Sequence, residues 1–100
     1  MLYIIVHLYV VKNAEEKMYA YEKKALNVFR KHGGEVVTAF RPKSTNANET
    51  MPDEIQILRI ESQKSFDTFM QDRERLTMAA ERDAAIRKTE VFISGELVEY

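Results

Sequence analysis

The sequence predicts a single α+β domain running strand–helix–strand–strand–helix–strand. Three observations carry that reading. Residues 1–11 (MLYIIVHLYVV) present two apolar faces in alternation, as a strand covered on both sides does. Met18, Tyr21, Ala25, Val28 and Phe29 recur at helical spacing. The chain has 100 residues, 45% hydrophobic and 31% charged, which suits one globular core and excludes wholesale disorder.

Each element has its own justification. In the first strand, Met1–Val11, the residues Leu2, Ile4, Val6, Leu8 and Val10 form a purely aliphatic face that should pack on helices. Tyr3, Ile5, His7 and Tyr9 form the other face. Asn13 is expected to cap the first helix, with Glu16 completing a capping box, and Gly33-Gly34 to end it. Glu35–Arg41 reads as the second strand, and the polar Pro42–Pro52 as an exposed, mobile hairpin loop. Glu54–Glu61 is the third strand. Its parity is open, because Ile55, Ile57 and Arg59 compete with Leu58 and Ile60 for the helix-covered face.

Ser62 or Ser65 should cap a second helical region with Phe66, Phe69 and Met70 on its apolar stripe. Asp72 caps a further segment carrying Leu76, Ala79, Ala80 and Ile86. Glu90–Ser94 is the fourth strand, and Gly95 permits a turn before a short extra strand at Leu97–Tyr100. This order implies a ferredoxin-like fold over residues 1–100, with strands in the antiparallel order 4-1-3-2 and both helical regions on one face.

Fifteen basic and sixteen acidic residues leave a formal charge of −1, so no basic excess favours nucleic acid or a membrane surface. Cysteine is absent, which excludes disulfides, thiolate metal sites and a cysteine nucleophile. Two distant histidines make no zinc site, and there is no glycine-rich phosphate loop, Gly-x-Ser-x-Gly elbow or His-Glu-x-x-His helix. No metal or cofactor is expected. The apolar start carries no positive leader and is too short to span a bilayer, so a cytoplasmic location is expected.

Several short motifs recur in a recognisable order. They are Tyr21-Glu22 with Ala25, His32-Gly33-Gly34, Arg41-Pro42, Pro52-Asp53-Glu54 leading into Leu58-Arg59, and Ala84-Ala85-Ile86 followed by Thr89-Glu90-Val91. Together they resemble the DUF1330 family of the dimeric α/β-barrel superfamily over nearly the whole chain. The resemblance implies a ferredoxin-like protomer whose open sheet face pairs with a second copy to close a barrel. It implies no known reaction. Related families include cofactor-independent oxygenases, haem-degrading oxygenases and isomerases. The tryptophan-containing residue set typical of the haem-degrading and quinone-forming oxygenases has no counterpart here, because the chain has no Trp.

Among candidate site residues, His7 stands between Ile5 and Tyr9, with Tyr3 beyond, on the face that would line the barrel. An imidazole beside phenols can exchange protons with a bound small molecule. The plainer reading is a buried or interfacial histidine satisfied by a neighbour. Arg59 could hold an anion or enolate oxygen if it shares that face; otherwise it pairs with a carboxylate such as Glu61 or Glu90. Arg82 could reach a ligand over the barrel mouth, or belong to a solvated helix face beside an Asp83–Arg87 pair. The ligand-binding candidates are thus Tyr3, His7, Tyr9, Arg59 and Arg82, with His7 and Arg59 the candidates for catalysis.

Three functions from different classes follow. The first is a homodimeric small-molecule-binding protein, oxygenase- or isomerase-like, with its pocket on the open sheet face. The second is a non-catalytic dimer. The third is single-stranded RNA binding through Tyr3 and Tyr9, for which the basic surround is missing. The expected partners are a second copy of the chain and a small-molecule ligand.

Overall fold

The most aliphatic segment of the chain becomes the central strand of the sheet. In the computed structural model, which describes residues 1–43 and 51–100, β1 (Leu2–Val10) pairs with β3 (Glu54–Ile60) on one side and β4 (Ile86–Ile93) on the other. β2 (Glu35–Phe40) adds to the far edge of β3, giving the order β2-β3-β1-β4 with every pair antiparallel. The expected order is therefore the one adopted. The helical layer comprises α1 (Glu15–Lys31), α2 (Gln63–Met70), α3 (Arg73–Leu76) and α4 (Ala79–Ala85).

The register settles the parity of β3. Ile4 lies opposite Leu58 and Ile93, whereas Ile5 lies opposite Ile57 and Phe92. Directly paired residues share a face. Leu58 and Ile60 therefore join Ile4 and Leu8 under the helices, and Ile55, Ile57 and Arg59 take the open face. On α1 the buried residues are Met18, Tyr21, Ala25, Val28 and Phe29, the stripe read from spacing. Two apolar clusters result. One joins Leu8 and Val10 to Met18, Tyr21, Ala25 and Ile86, and the other joins Ile4, Leu58 and Ile60 to Phe29, Phe66 and Phe69.

Local signals were right at some ends and wrong at others. Ser62 Oγ accepts the Ser65 N–H at the start of α2, and Asp72 accepts the N–H groups of Glu74 and Arg75 at the start of α3. Gly33 ends α1 at φ 82. Asn13, however, is not the cap: it sits at φ 65 in a turn, and Ala14 occupies the cap position without a side-chain hydrogen bond. Asn is one of the few non-glycine residues that accept this left-handed conformation, so it serves the turn instead. Leu76, expected on a buried stripe, is 50% exposed, because α3 is a single short turn.

β4 begins at Ile86 rather than Glu90, because β1 supplies ladder partners back to Val10. Leu97–Tyr100 forms no strand and is exposed. Of the expected Pro42–Pro52 loop, residues 44–50 lie outside the described residues. No described helix is long and apolar enough to cross a membrane.

Candidate functional site

The strand alternation distributes the functional side chains over two opposite faces of the sheet. Tyr3, His7, Tyr9 and Arg59 stand on the open face, while Arg82 stands on the helix side.

On the open face, His7 lies opposite Glu90 across the β1–β4 pair. Tyr9 Oη donates to Glu90 Oε1 at 2.6 Å, and His7 Nδ1 lies 3.4 Å from the same oxygen. That bond holds the Tyr9 phenol above its ordinary 10.0 and the Glu90 carboxyl below its ordinary 4.5. The Tyr9 ring is only 5% exposed, and Arg87 and Lys88 lie over it at 5.2 and 5.0 Å. It therefore offers no free stacking surface.

The expected Asp83–Arg87 pair is not formed: Asp83 faces Arg82 at 3.5 Å, and Arg87 turns to Tyr9. Arg59 pairs with neither Glu61 nor Glu90. Its guanidinium forks the Glu35 carboxylate on β2, Nε to Oε2 at 2.7 Å and Nη2 to Oε1 at 3.1 Å. This pair is half exposed at the sheet edge, where solvent and salt weaken it. Phe92 completes the face, its ring 5.2 Å from the His7 ring in edge contact.

On the helix side, a cavity of about 450 Å³ lies between the sheet and the helical layer. Its walls are mostly apolar, from Ile4, Val6 and Leu8 on β1 to Ala25 and Phe29 on α1 and Phe66 on α2. Val91 and Ile93 on β4 also line it and are 47% and 41% exposed, so the helical layer leaves this end of the sheet uncovered. Polar groups converge on the apolar space: Glu22 from α1, Gln56 from β3, Arg75 from α3, Arg82 from α4 and Thr89 from β4.

Their hydrogen bonds fix these groups individually. Gln56 is 1% exposed, and its amide donates at 2.9 Å to both Glu22 Oε1 and Glu54 Oε2. Glu22 Oε2 has no hydrogen bond among the described residues, and no cation lies within ion-pair distance of it there. Arg82 Nη2 donates to Thr89 Oγ1 at 3.0 Å. Arg75 Nη1 donates to the Met70 carbonyl at 3.0 Å, with the guanidinium 5.5 Å from the Phe69 ring centroid.

Burial pushes the Glu22 carboxyl from 4.5 up to about 7, and the Glu54 charge adds to the rise. The Gln56 hydrogen bond and the Arg82 and Arg75 charges act against it. Burial likewise raises the Tyr21 phenol above 10.0. No group of three His, Cys, Asp or Glu side chains suited to a metal ion occurs among the described residues.

Of the candidates chosen from sequence, only Arg82 lines this cavity. Glu22, Gln56, Arg75 and Thr89 are not among those candidates, although Glu22 and Thr89 fall within the motifs Tyr21-Glu22 and Thr89-Glu90-Val91. Two of them left a readable signal: Glu22 falls at i+4 from Met18 within an apolar stripe, and Gln56 occupies the helix-facing register of β3 next to Leu58. A polar residue in an apolar register has a reason to be there.

Comparison with known proteins adds the family and the fold. The model of a family described as "Domain of unknown function (DUF1330)" matches residues 1–96. No curated protein matches the chain. Among solved structures, a protein of unknown function from Rhodopseudomonas palustris is similar with a TM-score of 0.83 at 18% identity, covering 98% of this chain and 83% of the other. SnoaB, a cofactor-independent oxygenase from Streptomyces nogalater, has a TM-score of 0.71 at 11% identity, over 98% and 94% of the two chains. A putative antibiotic biosynthesis monooxygenase from Nitrosomonas europaea has a TM-score of 0.70 at 15% identity, over 98% and 100%.

Proposed function

We propose, from the premise that this chain belongs to the DUF1330 family, that it is a homodimeric small-molecule-binding protein whose ligand occupies the cavity between the helical layer and the sheet. The observation that carries this reading is the cavity itself. Its roughly 450 Å³ lies within the range of about 300–1,000 Å³ usual for ligand pockets. Its lining, apolar walls with a few converging polar groups, is the kind that orients a ligand. Neighbours described as a cofactor-independent oxygenase and a putative monooxygenase support oxygenase-like chemistry by fold analogy alone, with isomerase-like chemistry the other possibility the family resemblance offers.

The homodimer rests on the other face. Ile5, Phe40 and Phe92 are 38%, 47% and 53% exposed on it, beside Tyr3, Ile55 and Ile57. An apolar patch of that extent on a small chain marks an interface. A two-fold pairing of the same patch is the simplest closed arrangement. The sequence placed the pocket on this open face. The cavity between the sheet and the helical layer lies on the opposite face, and the ligand is assigned to it instead.

Native mass spectrometry of freshly purified protein, with a thermal-shift screen of small molecules, tests the proposal. Ligands that raise the wild-type melting temperature should lose that effect in Ala25→Phe, which fills the cavity from α1. A ligand whose shift survives in a folded Ala25→Phe variant would place binding elsewhere.

A further inference from the structure

The Glu22 end of the cavity differs from ordinary core. One carboxylate oxygen is held by a fully buried amide, and the other is without a hydrogen bond among the described residues. Two guanidiniums line the same apolar space from different helices, each held by its own partner. We propose that Glu22 is a catalytic proton acceptor in this cavity, and that the substrate class is an apolar carbonyl compound with an acidic C–H, its carbonyl oxygen directed to Arg82. The proposal rests on the reading of the cavity as a ligand site.

The step balances without an oxidant or reductant. The C–H bond next to the carbonyl breaks, and its proton forms a new O–H bond at Glu22 Oε2. The freed electron pair becomes a C=C bond, while the carbonyl π pair moves onto oxygen. The resulting enolate oxygen is stabilised by the Arg82 guanidinium. The Glu22 O–H then exchanges its proton with solvent, and return of the solvent-derived proton to the same carbon exchanges that hydrogen; delivery to the oxygen gives the enol, and in a conjugated enolate delivery to the remote carbon gives a positional isomer. Gln56 is a positioning residue, because its amide fixes the carboxylate and leaves Oε2 to the ligand.

Groups on three neighbouring elements tune this acceptor. Glu54 on β3 opposes ionisation of Glu22, while Arg75 on α3, Arg82 on α4 and Gln56 on β3 favour it. Burial dominates, so Glu22 titrates at about 7 and is a competent base near neutral pH.

The probe is 2-tetralone, a bicyclic apolar ketone with an acidic C–H. Its occupancy is read by saturation-transfer NMR, and its hydrogen exchange in D₂O by loss of the C1 proton signal. The expected result is saturable exchange whose rate rises through a midpoint near pH 7. Glu22→Gln should lower the exchange about 100-fold while 2-tetralone still binds. Glu22→Asp should retain the pH-dependent rise at a reduced rate. Glu54→Gln should move the rise to lower pH, because it removes a charge that opposes ionisation of Glu22.

If 2-tetralone binds and is displaced by Ala25→Phe, but exchange equals that of buffer or is unchanged in Glu22→Gln, the assignment of Glu22 is overturned and the cavity reading stands. If 2-tetralone shows no occupancy, the substrate class is overturned. The ligand screen then decides the cavity reading separately.

Discussion

Replacing Glu22 by Gln should stabilise the protein at alkaline pH and leave it nearly unchanged in acid. The sign of the effect is set by how many protons each state binds. Unfolded, Glu22 titrates near its ordinary 4.5; folded, burial moves it up to about 7. Between these values the folded chain binds more protons than the unfolded one, so stability falls as pH rises. Below about 4.5 both states are protonated and the penalty is absent; above about 7 both are ionised and the penalty is complete. At about 1.36 kcal/mol per pH unit, the full penalty is about 3 kcal/mol, an upper value because part of the side chain meets solvent.

Gln preserves the shape and still offers a carbonyl oxygen to the Gln56 amide, so it removes the charge with little other change. Urea unfolding of wild type and Glu22→Gln, at one protomer concentration and at intervals from pH 4 to 8, isolates the effect as a difference. The variant should gain on wild type progressively through the neutral range and then level off. A difference between the two that does not vary with pH would refute the reasoning. It would mean that Glu22 is solvated and that the cavity has no buried carboxylate.

Three further outcomes are expected. Gly34→Ala should destabilise by about 1–3 kcal/mol, the usual cost of overpacking. Its new Cβ would lie 2.4 Å from Cδ2 and Cε2 of the buried Phe29 ring. Urea unfolding of the pair in a Phe29→Leu background should show most of that cost gone. Ile5→Arg, on the open face, should convert the proposed homodimer to monomer in sedimentation equilibrium run at micromolar protein while ligand-induced thermal shifts persist, because Ile5 does not line the cavity. His7→Ala should leave sedimentation nearly unchanged, since it trims one polar side chain and leaves Ile5, Phe40 and Phe92, the large apolar residues of the patch, in place.

The fold was legible because its two periods are clean. Alternation in residues 1–11 puts a purely aliphatic set on one side of the strand, the α1 stripe puts its apolar residues on one side of the helix, and a sheet with helices on one face satisfies both. What stayed hidden depended on partners rather than on local pattern. The start of β4 is set by the ladder β1 offers, and the parity of β3 by register, since both of its faces are apolar enough for either choice. The cavity was not legible because it arises from how far α2, α3 and α4 extend over β4. Sequence favoured His7 and Arg59 as conspicuous polar side chains on apolar strands, yet Arg59 is consumed by Glu35, which no local spacing relates to it.

The physical interest of the cavity lies in opposite charges that do not collapse together. Glu22, Arg75 and Arg82 line one apolar space, where an unrestrained carboxylate and guanidinium would gain strongly by pairing. Each is instead retained by a partner of its own: Glu22 by the Gln56 amide, Arg82 by the Thr89 hydroxyl, Arg75 by the Met70 carbonyl and the Phe69 ring. Those partners sit on three different elements, β3, β4 and α2, so the separation is imposed by the fold rather than by one flexible side chain. The cost is the raised titration of Glu22. The gain is a carboxylate and two guanidiniums already placed around an apolar space with no ion pair between them, so the ligand proposed for this cavity would have no Glu22–arginine pair to break.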